Sequence, residues 1–151
     1  TVTTCDIDPG MYRSVDPAVQ CQDITKLSFK NQSYDCVIGN HILEHIPDDH
    51  LAMKEIFRVL VPGGMAILQV PYSISNAVTI ETPELKNPSR QSALYGQNDH
   101  VRIYTLDDYK KRLEHAGFEV NIINSEMLAG YRKFATQKEE CFLEIKKPVK
   151  P

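Results

Sequence analysis

Short β-branched runs alternate along the chain with apolar stripes at helical spacing, and polar turns separate them. Val2 to Cys5 reads as a strand that ends in the turn Asp6-Ile7-Asp8-Pro9-Gly10 and so delivers carboxylates at its carboxyl end. Residues 11–19 are a poorly patterned connection, and Gln20 to Ile24 predicts a second brief strand ending around Asp23. Lys26 to Tyr34 is a polar connection anchored by Leu27 and Phe29. Asp35 to Asn40 carries apolar side chains at consecutive positions, as in a parallel strand covered on both faces. A helix is predicted from Asp49 to Leu60, because Ala52, Met53, Ile56, Phe57 and Leu60 form one stripe and Pro47-Asp48 supply the start signal. Pro62-Gly63-Gly64 stops it, and Met65 to Val70 follows as a buried strand.

Residues 71–98 hold no consistent period and three prolines, which predicts a long loop with one helical turn, acting as a mobile lid. Thr105 to Ala116 predicts a second helix, with Thr105 and Asp108 as a capping box, Leu106, Tyr109, Leu113 and Ala116 as its stripe, and Gly117 as its terminator. Phe118 to Ile123 and Cys141 to Ile145 close the pattern as strands. This order describes one α/β domain over residues 1–151, a three-layer and mostly parallel sheet whose strands present their carboxyl ends on one edge. Ligands bind at such an edge, and Asp6, Asp8, Asp23, Asn40, His41 and Tyr72 gather there.

Composition narrows the function. With 17 basic and 20 acidic side chains the net charge is −3, which argues against nucleic-acid and anionic-membrane partners. No apolar run reaches the roughly 20 residues of a membrane span. The four cysteines form no C-x-x-C pair, so no metal ligands are assigned, and Cys36 and Cys141 are expected as buried thiols of a cytoplasmic protein. Thr1 opens directly into a β-branched run without the charged and apolar regions of a signal peptide.

An acid at the end of the second strand of a nucleotide-binding sheet accepts hydrogen bonds from ribose hydroxyls, which suits Asp6, with Asp8 as the alternative. Asp23, one strand over, suits an adenine amine, and Ile7 and Ile24 suit the faces of the ring. The competing reading is a simple Asx and Pro-Gly turn.

The segments TTCDIDP (3–9), QDITKLSF (22–29), YDCVIGNHILEHIPDD (34–49) and EIFRVLVPGG (55–64), in this order and spacing, resemble the class I S-adenosylmethionine-dependent methyltransferases. GQNDHVRIYTLDDYKKRLEHAGFEV (96–120) resembles the later part of the same proteins. The resemblance implies a Rossmann-like fold with an antiparallel C-terminal strand, S-adenosyl-L-methionine as cofactor, and methyl transfer to a small-molecule or macromolecular acceptor. It implies Asp6 on the ribose, Ile7 against adenine, Asp23 on the adenine amine, Ile24 near the ring, and Asn40 and His41 bordering the methionine end and the acceptor. His41 is the first candidate general base. His100, with Arg102, is expected to line the acceptor pocket from the lid, against the alternative of a surface ion pair with Asp99 or Asp107. His45, His50 and His115 are read as structural or solvated.

The family's first strand and glycine-rich loop have no counterpart in these residues, so the sheet is expected to be N-terminally truncated. Either the Val2–Cys5 and Cys36–Ile38 strands pair directly, or a second copy supplies the missing ladder and the chain is a homodimer with weak cofactor affinity. Two other functions compete: a non-catalytic binding or oligomerisation module, and an NAD-dependent oxidoreductase.

Overall fold

The computed structural model describes residues 1–124, 126–134 and 141–149. Helices form where cap and stripe coincide. α1 (Asp49–Val59) starts at Asp48, whose carboxylate accepts from the Leu51 N–H, and it buries Ala52, Met53 and Ile56. α3 (Leu106–His115) starts at Thr105, whose hydroxyl accepts from the Asp108 N–H, and it buries Tyr109 and Leu113. Asp108 does not close the expected capping box, because its carboxylate is paired with Arg112.

The strands make three separate sheets. β1 (Cys5–Asp6) pairs in parallel with β2 (Gln20–Cys21) alone. β3 (Tyr34–Ile38) runs parallel to β4 (Leu60–Ile67), and β9 (Phe142–Lys146) lies antiparallel between β4 and β8 (Glu119–Ile123). Four strands in the order β3-β4-β9-β8 therefore run in one direction except for β9. The third sheet has β7 (Arg102–Thr105) at its centre, parallel to β5 (Tyr72–Ser73) and antiparallel to β6 (Ile80–Glu81). The core between helices and sheets is built on Leu43, Met53, Ile56, Leu60, Leu68, Tyr104, Tyr109, Leu113 and Ile145. Each such aliphatic side chain contributes roughly 1.5–3 kcal/mol by leaving water.

Gly64 is required at the β3–β4 approach, because a Cβ there would stand 2.9 Å from the Val61 carbonyl oxygen and 3.1 Å from that of Asp35. Pro62-Gly63-Gly64 thus bends β4 within its length rather than preceding it. The connection after β2 is fastened to α1 by Arg58, which donates to the Leu27 and Phe29 carbonyls, and by Glu55, which accepts from the Leu27 N–H.

Several expectations need correction. The stretch 71–98 is not loop with a single turn: it contains β5, β6 and the eight-residue helix α2 (Pro88–Tyr95). It is anchored by β7, which the pattern did not predict because Arg102 interrupts its apolar face. β3 is not covered on both faces: Cys36 and Ile38, two apart on one face, are exposed, and no strand pairs with its second edge among the described residues. Cys141 is only half-buried, and all four cysteines are free. Direct pairing of the first strand with β3 does not occur among the described residues.

Candidate functional site

Beyond β3 the chain turns sharply. The Asn40 side-chain oxygen accepts from the Gln69 N–H at 3.1 Å, and His41, in the left-handed region at φ 55°, donates its own N–H to the Gln69 carbonyl at 2.7 Å. Leu43–His45 then forms a 3-10 turn that buries Leu43 and Glu44. His41, Glu44 and His45, with Tyr72, Tyr95 and His100, line a cavity of about 520 Å³ that includes both candidate histidines, His41 and His100.

Two side chains that sequence reasoning passed over dominate this cavity. Glu44 is 1% exposed, and its Oε2 has no hydrogen-bond partner, as is also true of the buried Tyr95 hydroxyl. Glu44 Oε1 lies 3.4 Å from His41 Nδ1. His45, read as structural, packs edge-on against His100 with ring centroids 4.6 Å apart, and its Nδ1 is 3.4 Å from Asp99 Oδ2. A signal for Glu44 existed: it is an acid embedded in the apolar stretch Ile42-Leu43-Glu44-His45-Ile46. Burial lowers the His100 pKa, reinforced by His45 and opposed by Glu44 and Asp99, so the imidazole favours its neutral form.

The turn is held from behind by Arg102, which is 1% exposed. Its guanidinium donates to the carbonyls of Leu43 (2.9 Å), Ile46 and Pro47 (2.9 Å), and to Glu81 Oε2 (3.1 Å). The Val101 N–H adds a bond to the Glu44 carbonyl at 3.0 Å. Asp49, also 1% exposed, accepts from the Tyr104 hydroxyl at 2.6 Å and from Arg112 at 3.0 Å. Burial alone would lower the Arg112 pKa, but Glu81, Asp49 and Asp108 raise it and keep the group charged. Burial raises the Tyr104 and Tyr109 phenols, so both remain neutral donors. The expected surface ion pair with Asp99 or Asp107 does not form, because His100 and Arg102 are buried, Asp99 faces His45 and Asp107 pairs with Lys111; of the two expected pocket residues, His100 lines the cavity and Arg102 does not.

The four residues assigned to adenosine lie apart from this cavity, at the ends of β1 and β2. Asp6 is half-buried and its Oδ1 accepts from the Asp8 N–H at 2.7 Å. Asp8 itself caps the 3-10 turn Pro9–Met11, its Oδ1 accepting from the Gly10 N–H at 3.2 Å. Asp23 is exposed and accepts from the Thr25 hydroxyl and N–H at 2.7 and 2.8 Å, bonds that lower its carboxyl pKa. Ile7 is 67% exposed, whereas Ile24 packs against the core.

The strand order, the reversed β9 and the polar clusters beyond β1, β2 and β3 define a methyltransferase-type α/β domain. Residues 1–68 match the family model described as a methyltransferase domain. A probable S-adenosylmethionine-dependent methyltransferase of Mycolicibacterium smegmatis is 31% identical over 109 residues, covering 72% of this chain and 37% of that protein. A methyltransferase structure from Methanosarcina mazei superposes with a TM-score of 0.61 at 17% identity, covering 99% of this chain and 82% of that one. The cyclase SpnF superposes with a TM-score of 0.57 at 20% identity, covering 95% and 61%. The chain belongs to the class I S-adenosylmethionine-dependent methyltransferase family. It spans well under half the length of the curated relatives it matches. No described helix is long and apolar enough to cross a membrane.

Proposed function

We propose that the protein is an S-adenosylmethionine-dependent methyltransferase whose adenosine site is formed by Asp6, Ile7, Asp23 and Ile24, and whose methyl acceptor enters the cavity lined by His41 and His100. The observation that carries this reading is the pair of acids at neighbouring ends of the parallel strands β1 and β2. Asp6 retains a carboxylate oxygen beyond its bond to Asp8, Ile7 offers an exposed apolar face, and Thr25 keeps Asp23 ionised, a donor and acceptor set that fits an adenosine. Asn40 borders the methionine end. When bound, S-adenosylmethionine supplies an electrophilic sulfonium methyl. The chain's own tasks are then to align the acceptor and exclude water. His100, buried and neutral, accepts the proton of an acceptor hydroxyl or amine, and His41, at the cavity rim beside Glu44, serves the same role for an acceptor lying nearer the surface.

Calorimetry tests the reading. Binding of S-adenosylhomocysteine without binding of NAD is expected; binding of NAD alone would establish the oxidoreductase reading, and binding of neither would establish the non-catalytic one. The antiparallel β9 between β4 and β8 speaks against a nicotinamide site. The open second edge of β3, where Ile38 is 68% exposed, favours self-association as a homodimer. Sedimentation as a monomer together with micromolar binding of S-adenosylmethionine would refute that assignment. A cytoplasmic location follows from the free cysteines in the same reading.

A further inference from the structure

The buried carboxylate in the cavity meets His41 at Oε1, and its Oε2 has no hydrogen-bond partner. Glu44 and His45 are consecutive in the 3-10 turn, His100 enters from the residue pair before β7, and one ligand atom from each lies within 4.8 Å of the other two. Glu44 uses Oε1 toward His41, which leaves the buried and unpartnered Oε2 for another ligand. His45 turns Nδ1 toward Asp99, which leaves Nε2 as its lone-pair donor. The backbone of His100 is fixed by Gln91, whose side-chain amide donates to the His100 carbonyl at 2.9 Å. A buried carboxylate oxygen without a partner is unfavourable, and the one imidazole beside this carboxylate, His41, lies at the exposed rim on the side of Oε1.

We propose that Glu44, His45 and His100 form a binding site for a divalent transition-metal ion such as zinc or cobalt. Two imidazoles and one carboxylate are a donor set for these ions rather than for magnesium or calcium, which take oxygen ligands. Bonds of about 2.0–2.1 Å in tetrahedral geometry set ligand atoms about 3.3 Å apart, so side-chain rotations that draw the three inward by roughly an ångström complete the site. Asp99 then holds the His45 ring in register, and Arg102, through its grip on the Leu43, Ile46 and Pro47 carbonyls, holds the turn that carries two of the three ligands. A protonated amine would satisfy Glu44 but would leave the convergence of both imidazoles unexplained. A bound ion takes the His100 lone pair, so in the metal-loaded protein His41 is the base left to the acceptor; the site rests on this geometry and does not depend on methyl transfer.

Cobalt titration of the whole chain, followed by visible absorbance and by competition with zinc, tests the site. One cobalt per chain with the intense bands of four-coordinate geometry is expected, displaced by one equivalent of zinc. His45→Ala, His100→Ala and Glu44→Gln should each weaken binding at least tenfold, and Asp99→Asn about 10–100-fold. The exposed pair His50 and His115, with ring centroids 6.4 Å apart, provides the control: the double alanine variant should bind as the parent does. His45 is half-buried, so its variant keeps the test alive if a change at a buried ligand prevents folding. Absence of the cobalt bands, or their persistence in both His45→Ala and His100→Ala, would overturn the proposal. So would their loss only in the His50 and His115 control.

Discussion

Replacing Arg102 by methionine removes the guanidinium that links the cavity turn to Glu81 and Asp49, while keeping much of the volume. Three carbonyl oxygens and Glu81 lose a donor, Asp49 loses a guanidinium 3.8 Å away, and Tyr104 loses the cation 5.6 Å from its ring centroid. Breaking a buried charged pair by removing one partner costs about 3–5 kcal/mol. Each neutral acceptor left unsatisfied adds about 1–3 kcal/mol where water cannot reach it. Pro47 is exposed and Ile46 half-buried, so water recovers part of that, and we expect a net loss of about 4 kcal/mol. With a urea slope of about 2 kcal/mol/M the unfolding midpoint should fall by about 2 M. Lysine restores the charge but cannot reach three carbonyls at once, so Arg102→Lys should lose roughly half as much. Histidine proton resonances give an independent readout, because a folded Arg102→Lys protein should still lose the distinct ring environments of His45 and His100. An Arg102→Met midpoint within about 0.5 M of the parent, equivalent to about 1 kcal/mol, would refute the claim that this residue holds the site together.

Asp6→Ala and Asp23→Ala should each weaken S-adenosylhomocysteine binding roughly tenfold to a hundredfold, from the loss of a charged hydrogen-bond partner worth about 1.5–3 kcal/mol; calorimetry on folded variants that match the parent would remove the adenosine assignment. The Glu81 carboxyl pKa is lowered chiefly by its hydrogen bond to Arg112, with Arg102 adding to it against the effect of burial. The stabilisation from a depressed folded pKa is complete above the unfolded value of about 4.3 and is lost as pH falls from there through the folded value. Urea midpoints measured between pH 6 and pH 3 should therefore fall less steeply for Glu81→Gln than for the parent, and parallel profiles would contradict this. Lys147 donates to the Phe57 and Leu60 carbonyls at 2.7 Å each, at the carboxyl end of α1. Lys147→Met should cost about 2 kcal/mol, seen as a thermal midpoint lowered by about 4–8 °C, and an unchanged midpoint would show those bonds to be dispensable.

The elements with a repeating signal were legible in the sequence. α1 and α3 begin one residue beyond the caps Asp48 and Thr105, and β8 and β9 lie within a residue of the expected runs, because stripe, cap and strand alternation are local properties. Residues 71–98 were read as loop because their order comes from distant partners: β5 and β6 exist only by pairing with β7, some 20 to 30 residues later. β3 failed differently. Its consecutive apolar positions correctly marked a strand, but an apolar run does not report whether a neighbour is present, and here one edge is open. Whether a strand is central or at an edge is decided by pairing, not by its own residues.

The site divides along the same line. His41 is accessible to sequence reasoning because it stands at the carboxyl end of an apolar strand, and His100 because it follows the long patternless segment 71–98. Glu44 and His45 were not chosen, because a 3-10 turn of three residues has no period that would show which side chain faces inward. Arg102 is expected at a lid because it follows the long segment 71–98, yet it lies inside. What makes its burial tolerable is local: β7 places it where the carbonyls of Leu43, Ile46 and Pro47 converge with Glu81 and Asp49. The turn and the arginine therefore need each other. Without Arg102 the irregular backbone around Leu43 would carry unsatisfied acceptors; without that irregular backbone Arg102 would have nothing to donate to. An irregular segment fixed this firmly can hold Glu44 buried beside two histidines, an arrangement that a freely solvated loop would release to water.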